Sequence, residues 1–246
     1  MSNTETVFNK KISLCIPMYN ENSIIADTAK TLHEYMSKTF ADYEIIFSND
    51  GSKDGCDKLV EQMHLPCVRV VGYEQNRGKG YAVRTAMLAA KGDYVMFTDA
   101  DLAYGTDVIA RVRDAFLEHP EADMVIGSRN LSKDGYEGYT PIRKLASKTY
   151  IKVLCIAGGF KLSDSQCGCK AFTQDAVKKI FPRCEVDRFA FDFEAILWAV
   201  KYGMTIHEIP VKIINHRESS VNLVRDTLKM LRDLSKMKRR IKKAKI

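Results

Sequence analysis

Through its first half the chain alternates between two hydrophobic periods. Short, nearly continuous apolar runs occur at Ile12–Pro17, Tyr43–Ser48, Val68–Gly72, Tyr94–Thr98 and Asp123–Gly127. They are rich in β-branched and aromatic residues, as strands covered on both faces are. Between them, three-and-four spacing predicts helices around Ser23–Ser37, Lys53–Met63, Gly78–Ala90 and Asp107–Glu118. This alternation predicts an α/β fold, a mostly parallel sheet with right-handed crossovers and helices on both faces. The second half loses the rhythm. It predicts a helix over Pro141–Ala157, a loop over Gly158–Asp164, an extended stretch over Ser165–Phe172 and a short helix after Thr173. A helix over Phe191–Tyr202 and a strand over Thr205–Ile214 follow. From Ser219 a last helix carries an apolar stripe, Val221, Val224, Leu228, Leu231, Leu234, Met237 and Ile241, opposite a basic face.

Composition adds limits rather than chemistry. The 246 residues suffice for one large catalytic domain, residues 1–218, with residues 219–246 as a basic amphipathic appendage. No run of 18 apolar residues predicts a membrane span, and the amino-terminal residues lack the pattern of a signal peptide. Seven scattered cysteines fit a reducing cytoplasm, and Cys167-Gly168-Cys169 is too tight for a zinc pair. The net charge of +7 is concentrated in the tail: nine Lys and Arg against Asp233 between Lys229 and Ile246. The other 228 residues hold 29 basic against 30 acidic groups. No nucleic-acid partner is expected, because the tail has no stacking aromatics.

In such sheets ligands bind outside the carboxyl ends of the strands. Tyr19-Asn20-Glu21, Asn49-Asp50-Gly51-Ser52 and Asp99-Ala100-Asp101 therefore converge on one crevice. Two carboxylates one residue apart at the end of a buried strand call for a compensating cation, and Mg²⁺ or Mn²⁺ takes such oxygen ligands beside a diphosphate. The bland reading is a spare acid at the start of the next helix. Asp50, before a Gly-Ser turn, can accept the imide N–H of uracil or cap the following helix. Pro17 ends its strand and frees Tyr19–Glu21 to frame the same pocket, unless Glu21 is a first-turn acid favoured by the helix dipole. Gly78 and Gly80 permit close backbone approach to a ligand, and Arg77 and Lys79 can offset diphosphate charge.

Pro17–Glu21, Asn49–Asp54, Asn76–Ala82 and Thr98–Asp101 occur in an order that resembles the inverting family 2 glycosyltransferases of the GT-A fold. Gly127–Arg129, Asp164–Lys170, Phe191–Glu194 and Glu208–Val211 resemble the branch that glycosylates dolichyl phosphate. The resemblance implies a nucleotide-sugar donor contacting Asp99, Ala100, Gly78 and Lys79, with Mg²⁺ or Mn²⁺ held by Asp99 and above all Asp101. Ala103 departs from a polar metal contact that mannosyl relatives often show. The resemblance also implies that Arg129, Arg143 and Ser147 hold a lipid phosphate, which suits the planar fork of arginine. Arg143 otherwise belongs to a solvated helix face. Asp164 and Gln166 point to a glucosyl-type enzyme, orienting sugar hydroxyls or the acceptor. Asp192 and Glu194, two apart on a helix, face different directions, so one can reach the site while the other packs or caps.

The reading that follows is transfer of a hexose, glucose by resemblance, from a UDP-sugar to a polyprenyl or dolichyl phosphate. Asp101 and Arg129 would carry catalysis. A phosphomonoester is largely a dianion at neutral pH and attacks without a base, whereas a sugar hydroxyl would need one, and Asp192 is the candidate. The alternatives are a transferase acting on a glycan or wall-polymer hydroxyl, and a nucleotide-sugar-binding scaffold. The basic tail is expected to place the enzyme on the cytoplasmic face of an anionic membrane or against a membrane-embedded partner; the sober alternatives are a core-capping helix and a nonspecific nucleic-acid contact.

Overall fold

The computed structural model describes residues 9–159, 161–188, 190–215 and 223–245, with side chains in the last segment from Asp233 onward. Among these residues one sheet holds β1 (Ile12–Met18), β2 (Tyr43–Asp50), β3 (Val68–Tyr73), β4 (Tyr94–Phe97), β5 (Met124–Ser128), β6 (Lys170–Thr173) and β7 (Ile206–Pro210). The helices are α1 (Asn22–Thr39), α2 (Cys56–Gln62), α3 (Lys79–Ala89), α4 (Asp107–Glu118), α5 (Pro141–Gly158), α6 (Gln174–Ile180), α7 (Phe191–Lys201) and α8 (Leu223–Lys243). Strand order is β3-β2-β1-β4-β6-β5-β7. The first four strands run parallel, as the alternation predicts. β6 departs from it: it lies antiparallel between β4 and β5, pairing Val95 with Phe172 and Val125 with Ala171. The stretch expected to be extended from Ser165 pairs only from Lys170 onward, and the residues before it turn.

The pleat divides the core. Leu14, Ile16, Ile45, Phe47 and Met96 face α1, α2 and α4, packing on Ile25, Leu32, Val60, Ile109 and Phe116. Cys15, Ile46, Val95, Phe97 and Phe172 face the other way, onto Val83 and Met87 of α3, Leu154 of α5, Ile180 of α6 and Phe193 and Trp198 of α7.

That second layer also contains Leu234, Met237 and Ile241. These stripe positions of α8 are buried core, so this part of the stripe cannot also face a lipid surface. Basic side chains of α8 fasten it further: Lys238 Nζ donates to the Ala157 carbonyl at 2.8 Å, and Arg240 pairs with Glu185 and with buried Glu194. The core-capping alternative thus describes this end of the helix. Val221 lies outside the described residues, as do the side chains of Val224, Leu228 and Leu231.

Candidate active site

The carboxyl ends of β1, β2, β4 and β5 share one edge, and antiparallel β6 presents its amino end there. That reversal brings Asp164–Lys170 to the same crevice. The loops after β1 and β2 are stapled together. Asn20 N–H donates to Ser52 Oγ at 3.0 Å, Lys53 N–H to Asn20 Oδ1 at 3.0 Å, and Asn22 N–H to Asp54 Oδ2 at 2.8 Å. Asp54 Oδ1 also accepts the Cys56 N–H at 3.1 Å at the start of α2, so that helix does not need Asp50 as its cap. Pro17 is buried within β1, Tyr19 is exposed beyond it, and Glu21 stands at the N-cap of α1 without a capping hydrogen bond from its side chain. A cleft of about 440 Å³ borders these loops on the α2 side, lined by Asn49, Ser52, Tyr73 and Glu74 among others.

Asp50 is buried, and its carboxylate is fully engaged. Oδ1 accepts from Tyr73 Oη at 2.7 Å and Arg77 N–H at 2.8 Å; Oδ2 accepts from Asn76 Nδ2 at 2.8 Å and Gly78 N–H at 2.9 Å. Here the carboxylate expected at a uracil imide shapes the loop before α3. Gly78 and Gly80 likewise meet protein rather than open space. Gly78 has a φ of 112°, and a Cβ there would stand 2.6 Å from the Asp187 carbonyl oxygen. A Cβ on Gly80 would stand 2.6 Å from both Phe191 Cβ and the Val186 carbonyl oxygen. These glycines admit the segment preceding α7. Arg77 and Arg84 tie that segment down through Asp187, at 3.2 and 2.8 Å, with the Arg77 guanidinium stacked 3.6 Å from the Tyr81 ring centroid.

Asp99 and Asp101 emerge from β4 half-buried. Asp99 pairs with Lys79 Nζ, and its carboxylate lies so close to Gly168 that a Cβ there would come within 2.5 Å of Oδ2. Burial would lower the Lys79 pKa, but Asp99, followed by Asp192 and Asp101, more than reverses this. Asp101 Oδ1 accepts the Ala103 N–H at 3.1 Å, and Ala100 is buried with its carbonyl accepting from Thr28 Oγ1 at 2.8 Å. On α7, Asp192 accepts from fully buried Lys170 Nζ at 2.9 Å, while Glu194 turns away and accepts the Glu185 and Val186 N–H groups at 2.9 and 2.7 Å. The two acids do face different directions. Burial pushes the Asp192 carboxyl up, against the pull of Lys170 and Lys79.

At the end of β5 the Arg129 guanidinium grips Asp164, Nε to Oδ2 at 2.7 Å and Nη2 to Oδ1 at 3.1 Å. Asp164 is fully buried and also accepts the Gln166 N–H at 3.0 Å. Expected at the sugar or the acceptor, Asp164 here aims Arg129. Glu208 of β7 holds that loop by accepting the Ser163 N–H at 3.0 Å and its hydroxyl at 2.7 Å. Gln166 is half-buried. Arg143 is exposed on α5. A tyrosine pair, Tyr136 and Tyr139 with centroids 5.6 Å apart, links the basic residues. Arg129 stands 5.5 Å and Lys148 5.7 Å from the Tyr136 ring, and Arg143 4.2 Å from the Tyr139 ring. Arg129 and Arg143 are thus gathered, with half-buried Ser147 one turn beyond Arg143 on α5.

Among the described residues no three His, Cys, Asp or Glu side chains cluster as a self-sufficient metal cage. Two hard carboxylates at one strand end fit an ion that takes its remaining oxygens from substrate and water, as Mg²⁺ does beside phosphates. The donor set therefore fits a divalent cation carried with a diphosphate, which Asp99 and Asp101 would hold.

The model of the Glycosyl transferase family 2 matches residues 13–181, and the chain belongs to that family. It is a glycosyltransferase of the GT-A fold. It is 33% identical over 227 residues to a dolichyl-phosphate beta-glucosyltransferase of Dictyostelium discoideum, covering 86% of this chain and 68% of the relative. An enzyme of the same name from Trichomonas vaginalis is 31% identical over 80% of this chain and 62% of the relative. The chain therefore spans about two thirds of the length of these relatives. Glucosyl-3-phosphoglycerate synthase of Mycobacterium tuberculosis, solved with Mn²⁺, UDP and glucosyl-3-phosphoglycerate, superposes with a TM-score of 0.67 at 18% identity, covering 93% of this chain and 78% of that one.

Sequence reasoning missed Tyr73 and Asn76 as partners of Asp50, Tyr136 as the hub of the basic cluster, and Lys170 as the buried counter-charge of Asp192. Lys170 alone carried a signal: a lysine inside a run otherwise reading as buried strand.

Proposed function

We propose that this chain transfers glucose from UDP-glucose to dolichyl phosphate with inversion. The carrying observation is the division of one sheet edge into an acidic half, Asp99 and Asp101 after β4, and a cationic half, Arg129 and Arg143 around the tyrosine pair. A divalent cation on Asp99 and Asp101 would offset charge on the departing UDP. Arg129, fixed by Asp164, and Arg143 would position the phosphate oxygen in line with the anomeric carbon. The acceptor dianion attacks that carbon as the bond to the diphosphate oxygen breaks, so no proton needs removing. Asp192 then serves charge balance with Lys170 and Lys79 rather than acting as a base. Glucose and dolichyl phosphate are supported by the names of the relatives, and the gathered arginines are the reason to prefer a phosphate to a sugar hydroxyl as acceptor. We further place the enzyme peripherally on the cytoplasmic face of a membrane.

The test is a panel of UDP-, GDP- and ADP-sugars with dolichyl phosphate, scoring released nucleotide with and without Mn²⁺ or Mg²⁺. UDP release from UDP-glucose that needs metal and falls by orders of magnitude in Asp101→Asn supports the reading. Preference for GDP-mannose, or transfer to a free sugar with lipid phosphate inert, overturns it.

A further inference from the structure

α5 is apolar on two opposite sides. One side, Ile151, Leu154, Cys155 and Gly158, is buried against the domain. On the other, Ile142 is 83% exposed, Leu145 69%, Val153 39% and Ile156 69%. With Thr149 these positions are spaced three, four, four and three residues apart, so they fall within an arc of about 80° and form a stripe about 20 Å long. A helix apolar all round is ordinarily buried, and isolated surface hydrophobes do not line up this way.

We propose that this outer face of α5 is the surface by which the protein lies on an anionic lipid leaflet. Charge complementarity selects that occupant. Lys148 and Lys152 are exposed along one flank of the stripe and Arg143 on the other. Exposed Lys236, Lys242 and Lys243 of α8 add to the basic character of the layer in which α5 and α8 pack together. A second copy of the chain would set these cations against each other, whereas an anionic leaflet meets them favourably while its acyl boundary receives the isoleucines. Acceptor geometry agrees, a point that rests on the function proposed above: Arg143 and Ser147 lie on the same helix, so docking α5 sets the phosphate site at headgroup height. Among the described residues no helix is long and apolar enough to cross a membrane. The described apolar positions of α8 are core, so that part of α8 offers no second lipid-facing stripe.

The experiment uses full-length protein in which Ile142 and Ile156 are replaced by serine, sedimented with vesicles of phosphatidylcholine containing phosphatidylserine. Both side chains are mostly solvated, so the variant keeps the wild-type melting temperature. Withdrawing two such residues from an interface is expected to weaken partition roughly a hundredfold. Wild type should also bind less at high salt or without phosphatidylserine. Equal sedimentation of variant and wild type overturns the proposal. So does wild type that ignores anionic vesicles but forms a dimer that the variant breaks. Transfer to a water-soluble short-chain prenyl phosphate is measured in parallel. If the variant retains it while losing vesicles, docking and catalysis are separate and both readings stand. If wild type binds vesicles but transfers to no lipid phosphate, the proposed function fails and the docking surface remains.

Discussion

Replacing Asp164 by asparagine separates two roles for this residue, touching substrate and aiming Arg129. Its side chain is 0% exposed and that of Arg129 11%, so solvent screens the pair little. The amide keeps the shape but loses the charge and turns an N–H toward a guanidinium that has only donors. Removing one partner of a buried pair leaves an uncompensated charge, at a cost of about 3–5 kcal/mol. With 246 residues, unfolding entropy near the midpoint is about 0.5 kcal/mol per kelvin, so the melting temperature should fall by about 6–10 °C. Calorimetry measures this directly. Steady-state kinetics on the same protein should show a raised acceptor KM with UDP affinity preserved, because the Asp50 loop is elsewhere. Arg129→Met combined with Asp164→Leu should recover much of the lost stability while leaving transfer impaired. A variant that melts within about 2 °C of wild type yet loses acceptor binding would refute the positioning argument. Direct contact between Asp164 and substrate would then be the better account.

Arg143→Ala should leave the melting temperature unchanged, since the side chain is exposed, and raise the acceptor KM in a titration of lipid phosphate. Gly80→Ala should cost about 1–3 kcal/mol in chemical denaturation, because its Cβ would meet Phe191 and Val186, and should lower kcat by shifting the start of α7. Glu44 supplies a pH test. Burial raises its pKa, but hydrogen bonds from Ser13, the Lys91 N–H and Arg69 hold the carboxyl below its ordinary value. A depressed pKa stabilises the fold above the unfolded value of about 4.3, and that contribution is lost as pH falls through the folded value. Glu44→Gln should therefore lower the urea midpoint at pH 7, with the deficit shrinking toward zero below about pH 4.

Local pattern carried the fold. α4 is expected and found over Asp107–Glu118, and the first five strands lie within two residues of the runs that predict them. β6 escaped because its direction depends on its neighbours: four residues, the first three of them buried, pair equally well either way round. The amphipathic stripe of α8 was visible, but periodicity reports that a face is apolar, not whether protein or lipid covers it. α5 hid the opposite problem. Its buried and exposed apolar faces together read as one ordinary helix, and only packing against the sheet separates them.

Site residues were legible by type and position, less so by role, because their partners lie far along the chain. Asp50 accepts from residues 76–78, Gly78 abuts Asp187, and Arg129 binds Asp164. Each residue expected at substrate is held here by a partner from a distant part of the chain. The consequence concerns how loss of function is to be read at this edge. A change at Asp50, Gly78 or Asp164 will resemble loss of a ligand contact in an activity assay, yet it first moves the residue beside it. Stability measured alongside KM tells the cases apart: a residue touching only ligand leaves the unliganded protein as stable as before. Arg143, exposed where Asp50 and Asp164 are buried, is where that pattern is expected.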